Sequence, residues 1–200
     1  MSEIELVPLF STPLYNNRNI NCDNKYIINE ANKLEWEKIG YSDESDNNNI
    51  YITTSLNVLD NEAFIDIKNI ILDNVSIYLT DVFNCKQSFS ICKSWFLKAF
   101  GSGRNTMSDW HFHRNCSVSG VYYPHAPEGS GEIQFTNSFI QRSDIIPSDD
   151  FNIYNSSLWN IKPSEGQLLL FPSWTLHRVD KSVFNSERYS LAFDIRLNNE

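Results

Sequence analysis

The chain has 200 residues, 41% hydrophobic and 14% aromatic, enough for one domain with a packed core and too few for two. That composition excludes a disordered or low-complexity protein. The formal net charge of −9, with Lys93 and Lys98 the nearest thing to a basic cluster, argues against nucleic acid and anionic membranes as partners.

In chain order, the opening residues lack a signal-peptide pattern, and no apolar run reaches the length of a membrane span. Asp23 to Lys38 carries Tyr26, Ile27, Leu34 and Trp36 at roughly helical spacing and predicts a first helix. Tyr41 to Asn49 is polar and reads as an exposed loop. Asn61 to Phe83 predicts the main helix, because Phe64, Ile67, Ile71, Val75, Tyr78, Leu79 and Val82 recur at three- and four-residue steps, with Asp60 as its N-cap. Beyond Cys85, short β-like runs predict strands over Ser88–Phe100, Ser117–Tyr123, Glu132–Phe135, Gln167–Phe171, Leu176–Val179 and Arg188–Ile195. Turns are expected at Gly101-Ser102-Gly103, Glu128 to Gly131 and Pro163 to Gly166. Ser138 to Lys162 reads as a long connection that covers a pocket mouth, carrying Arg142, Asp144, Asp149 and Asp150. Helices followed by strands predict a mainly β sandwich or jelly roll with helices packed on one face. One domain is expected over 1–200, with 1–85 as helical support and 86–200 as the β core. Cys22, Cys85, Cys92 and Cys116 form no CxxC pair, so free thiols in a cytoplasmic protein are the expectation.

Two of the four histidines stand in His111-Phe112-His113. On a strand, residues two apart point to one face, so both imidazoles can aim at one point, and Asp109 shares that face. His177 follows the apolar run Gln167 to Phe171. Soon after it, Arg188 interrupts an otherwise apolar strand. A guanidinium there must reach solvent or an anion, since an unpaired buried charge is very costly, and its planar fork suits a carboxylate. Ser190 shares the face of Arg188 and could donate to the same carboxylate. Three histidines alone also fit a cupin-like metalloenzyme, and the many aromatics fit a jelly roll that only binds a ligand.

Three stretches carry a family resemblance: Pro8 to Tyr15; His111 to Asn115 running into Ser119-Gly120-Val121-Tyr122-Tyr123; and Gly166 to His177 with Arg188-Tyr189-Ser190 beyond. They resemble the 2-oxoglutarate and iron(II)-dependent oxygenase superfamily, more narrowly a small family of marine bacteria and their phages. The resemblance implies a double-stranded β-helix of cupin type, iron(II), 2-oxoglutarate as co-substrate, and O2. It also implies oxidative decarboxylation to succinate, with hydroxylation of a peptidyl, amino-acid or small-molecule substrate as the default outcome. By position His111 and His177 take the two histidine places, and His113 stands where the superfamily usually has Asp or Glu. Three histidines are the favoured ligand set, with Asp109 or water in place of His113 as alternatives. Arg188 with Ser190 would hold the distal carboxylate of 2-oxoglutarate, with Arg196 the fallback anchor. Tyr123 resembles a tyrosine aimed at the same group, unless it is a core aromatic. Trp95, Trp110 and Trp174 line the pocket or pack the core, Asn115 reads as a turn residue, and His125 as a loop residue.

Overall fold

Short β-branched and aromatic runs pair antiparallel throughout the computed structural model, which describes residues 5, 7, 11–39, 50–101, 107–136, 149–150, 152–182 and 187–198. The strands are β1 (Tyr15–Asn17), β2 (Trp36–Ile39), β3 (Ile50–Thr53), β4 (Phe89–Ala99), β5 (Val118–His125), β6 (Ile133–Thr136), β7 (Leu158–Ile161), β8 (Gln167–Pro172), β9 (Leu176–Val179) and β10 (Arg188–Leu197). Helices α1 (Asn24–Ala31) and α2 (Ile65–Ile77) lie among the first of them. One sheet has seven strands in the order β1-β8-β5-β10-β4-β3-β2, and a second has three in the order β7-β6-β9.

Strand β10 explains the layering. It reads Arg-Tyr-Ser-Leu-Ala-Phe-Asp-Ile from Arg188 to Ile195, polar or small residues alternating with large apolar ones, yet all eight are buried. Leu191, Phe193 and Ile195 join Ile67, Ile71, Val75 and Tyr78 in one cluster, so the helices cover that face of the large sheet. On the other face Val121, Tyr123, Leu169 and Phe171 meet Ile133, Phe135 and Ile161 of the small sheet. Arg188, Ser190, Ala192 and Asp194 therefore point between the sheets. The result is the jelly roll with helices on one outer face that the strand pattern predicts.

The six predicted strands all form. The front of the chain departs from expectation, because it supplies three strands as well as helices. The first helix stops at Ala31, and Trp36, read as helical, lies in β2 paired with Thr53. Asp60 does not cap the main helix. Asn61 accepts from the Ala63 amide instead, while Asp60 pairs with Lys68 at 3.1 Å. The helical stripe is buried through Leu79, after which a π-helical turn (Tyr78–Val82) rotates Val82 out to solvent. The connection from Ser138 to Lys162 contains β7, an edge strand paired with β6, where Trp159 lies opposite Phe135. The rest of that connection from 138 to 148, the loop at 41–49 and the residues Pro8 to Phe10 lie outside the described residues. Turn glycines Gly101, Gly129 and Gly166 take positive φ, and Asn115 does so too at 62°, which makes it a turn residue. His125, read as a loop residue, closes β5 and faces Glu165 at 3.3 Å. No helix of the described residues is long and apolar enough to cross a membrane.

Candidate metal centre

Residues Ser108 to His113 run beside β9 and the turn before it. The amides and carbonyls of His111 and His177 exchange both hydrogen bonds at 2.9 Å, and the His113 amide donates to the Ser173 carbonyl, also at 2.9 Å. Reciprocal pairing sets His111 directly opposite His177, and the two-residue period returns His113 to the same side. His111 is joined by a single bridge rather than a continuous ladder, so the expected strand around it is only a bridged segment. The three rings converge nonetheless. His111 and His177 have centroids 4.3 Å apart, and His113 lies 5.4 Å and 5.3 Å from them. One potential ligand atom from each falls within 4.8 Å of the others.

Each ring is held by its Nδ1. His111 donates to the Asp109 carbonyl (2.7 Å), His177 to the Thr175 carbonyl (2.9 Å) and His113 to the Asp194 carboxylate (2.6 Å). A carbonyl can only accept, so Nδ1 of His111 and of His177 carries the hydrogen and leaves Nε2 as the nitrogen that can face a metal, and the carboxylate beside His113 favours the same tautomer there. Burial lowers the pKa of His177 to about 3, the charge of His111 adding to the effect. Its ring is walled by Phe171 and Phe135, with centroids at 4.7 Å and 6.1 Å. His111 is lowered as well, again mainly by burial. Three imidazoles converging on one point fit a divalent transition metal. Asp109 contributes its backbone carbonyl, and its carboxylate is not part of the cluster.

Arg188 lies on the same face of β10, six residues or about 20 Å of extended chain from Asp194. It is fully enclosed. Nη1 donates to the Gly131 carbonyl at 3.1 Å, whereas Nε has no partner among the described residues. Burial depresses its pKa, and that of neighbouring Tyr123 is raised to about 12 by burial against the opposing pull of the Arg188 charge. Ser190 and Ala192, both small, are the only β10 residues on this face between Arg188 and Asp194. A buried guanidinium with an orphaned donor fits a carboxylate ligand. Arg196, the alternative anchor, bonds the Asn115 carbonyl in an exposed position. Trp95 packs beside the triad, 5.8 Å from His113. Trp110 instead stacks under Arg178 at the surface, and Trp174 is exposed. Asp194 is the neighbour of His113 that the sequence does not single out: the alternation along β10 places it on the face of Arg188 and Ser190, and only the fold brings it to a histidine.

A jelly roll that brings three imidazoles together, only His177 of them buried, and holds a buried arginine on its central strand is the architecture of a double-stranded β-helix oxygenase. The family model described as "Putative 2OG-Fe(II) oxygenase" matches residues 93–194, and the chain belongs to that family, whose members depend on iron(II), 2-oxoglutarate and O2. No curated protein matches the chain. Among solved structures it is similar to an oxidoreductase of the 2OG-Fe(II) oxygenase family from Burkholderia pseudomallei (15% identity, 88% of this chain and 79% of that one, TM-score 0.62). It is also similar to a Pseudomonas putida prolyl-4-hydroxylase (14%, 96% of each chain, 0.62). A third is HygX from Streptomyces hygroscopicus, solved with nickel and 2-oxoglutarate (11%, 94% and 84%, 0.60). At these identities the likeness is one of fold.

Proposed function

We propose that this oxygenase hydroxylates a peptidyl, amino-acid or small-molecule substrate. Its iron would be held by His111, His113 and His177, and 2-oxoglutarate would be anchored by Arg188. The observation that carries the reading is the enclosed Arg188 side chain, whose Nε has no partner among the described residues, on the strand face that also leads to the histidines. When bound, iron(II) would supply the oxidising chemistry with O2 as the oxidant, one oxygen atom ending in succinate as 2-oxoglutarate loses carbon dioxide and the other in the hydroxylated substrate.

The chain's own residues would do the rest. His111 and His177 orient each other through their shared bridge and present Nε2 lone pairs. Arg188 would grip the distal carboxylate by its fork, with Ser190 donating from the same face and Tyr123 closing the wall beside it. Phe135 and Phe171 keep water from the buried side of His177. In this reading 1–200 act as one domain, with 1–85 bracing the sheet, and free thiols suit a cytoplasmic setting. Similarity in fold to a prolyl-4-hydroxylase supports a peptidyl substrate, while that to HygX, also solved with hygromycin B bound, supports a small molecule.

The test is an anaerobic titration of iron(II) and 2-oxoglutarate into the purified protein, watched in the visible. A weak charge-transfer band that needs both additions is the expected result. Metal binding with no band on adding 2-oxoglutarate would overturn the co-substrate assignment.

A further inference from the structure

The three imidazoles are not equivalent. Two of them donate to neutral backbone carbonyls, but His113 donates to Asp194, the only buried carboxylate among the described residues. Asp194 is itself tied down. Ser119 Oγ donates to the same Oδ1 at 2.7 Å, and lies 2.9 Å from Ser173 Oγ. With its single proton given to Asp194, the Ser119 hydroxyl accepts from Ser173. Ser173 also takes the His113 backbone amide on its carbonyl, so ring and backbone of His113 are clamped by one closed circuit. The circuit is drawn from β5, the turn after β8, and β10. Its three polar side chains are each at most 4% exposed.

A buried carboxylate costs several kcal/mol in desolvation unless it serves a partner. A serine pair alone would be satisfied by a neutral acceptor. We infer that Asp194 is a positioning residue that fixes His113 and, through it, lends negative charge to the metal. Hydrogen bonding from Nδ1–H to a carboxylate makes Nε2 a stronger donor than bonding to a carbonyl does. His113 would then bring to the metal part of the charge that a directly ligating carboxylate brings. The inference rests on the three-histidine reading above.

Asp194→Asn keeps an acceptor for His113 in the same place and removes only the charge. Equilibrium dialysis against iron(II) under anaerobic conditions should show affinity falling about 10- to 100-fold, the usual effect of losing such a partner. The charge-transfer band with 2-oxoglutarate should move to shorter wavelength, because a less electron-rich iron gives up its electron at higher energy. In a His113→Ala background the same Asp194→Asn change should leave iron affinity unaltered, since the route to the metal is gone. Ser119→Ala, a milder disturbance that tests the circuit should the Asn variant not fold, should lower iron affinity several-fold and likewise only when His113 is present. Unchanged affinity and band position in Asp194→Asn, or an equal loss with and without His113, would overturn the role given to Asp194. Failure of the underlying reading looks different: His113→Ala would then bind iron as the wild type does, and the inference would fall with it.

Discussion

Arg188→Met separates the demands of folding from those of binding. Arg188 is buried with one satisfied donor group and an Nε that has no partner among the described residues. Relieving a buried unsatisfied charged group returns about 1–3 kcal/mol. Leaving the Gly131 carbonyl without its donor takes back about 1 kcal/mol. Methionine fills a similar volume with adaptable apolar atoms, so the net change runs from about zero to a gain of about 2 kcal/mol. For a chain of this size that raises Tm by at most about 8 °C. Co-substrate binding moves the other way. Losing one partner of a buried charge pair costs about 2–5 kcal/mol, a fall in 2-oxoglutarate affinity of about 30- to several-thousand-fold. Thermal unfolding with iron(II), anaerobically, with and without 2-oxoglutarate, reads both. Wild type should gain about 2.7 kcal/mol at a hundred times its dissociation constant, and the variant should gain less than about 1 kcal/mol at that concentration. A variant less stable than wild type that is still stabilised by 2-oxoglutarate would make Arg188 an ordinary structural residue.

Three other outcomes test the site and its support. His177→Ala should abolish iron retention on desalting, because it removes a ligand while its backbone bridge to His111 stays in place; unchanged iron content would refute the metal assignment. The unfolded His177 takes a proton near 6.5 and the folded one only near 3, so folding excludes that proton. Stability of the metal-free protein should therefore be full above about pH 6.5 and fall by up to about 1.4 kcal/mol per unit as pH drops toward 3, with a flat profile from pH 7 to 5 as the contrary result. Gly120→Ala should destabilise by about 1–3 kcal/mol in denaturant melts, since a Cβ there meets Phe193 Cζ at 2.3 Å and Leu170 Cδ2 at 2.8 Å in packed core; a neutral effect would show that the core yields.

Much of this protein is local in origin and was legible residue by residue. The stripe from Phe64 to Leu79 defines a helix because a 3.6-residue period needs no knowledge of partners. The His111-Phe112-His113 spacing puts two imidazoles on one side by the geometry of extended chain alone, and a lone guanidinium in an apolar strand narrows the surroundings of Arg188 to solvent or an anion. Nonlocal pairing decided the rest. Trp36, Ile50 to Thr53 and Leu158 to Ile161 are strands because an edge of a sheet was available to them, and short segments take their structure from such neighbours rather than from propensity. The same holds in the site. His111 meets His177 across 66 positions of chain through a single bridge, and His113 meets Asp194 across 81. No spacing rule reports that a carboxylate six residues after Arg188 will close behind the middle histidine. That depends on β5 and β10 lying side by side, where Ser119 and Asp194 are registered partners. Sequence determined which groups could do chemistry, and tertiary packing determined which histidine meets the buried carboxylate, because hydrogen bonds inside the core depend on which strands adjoin.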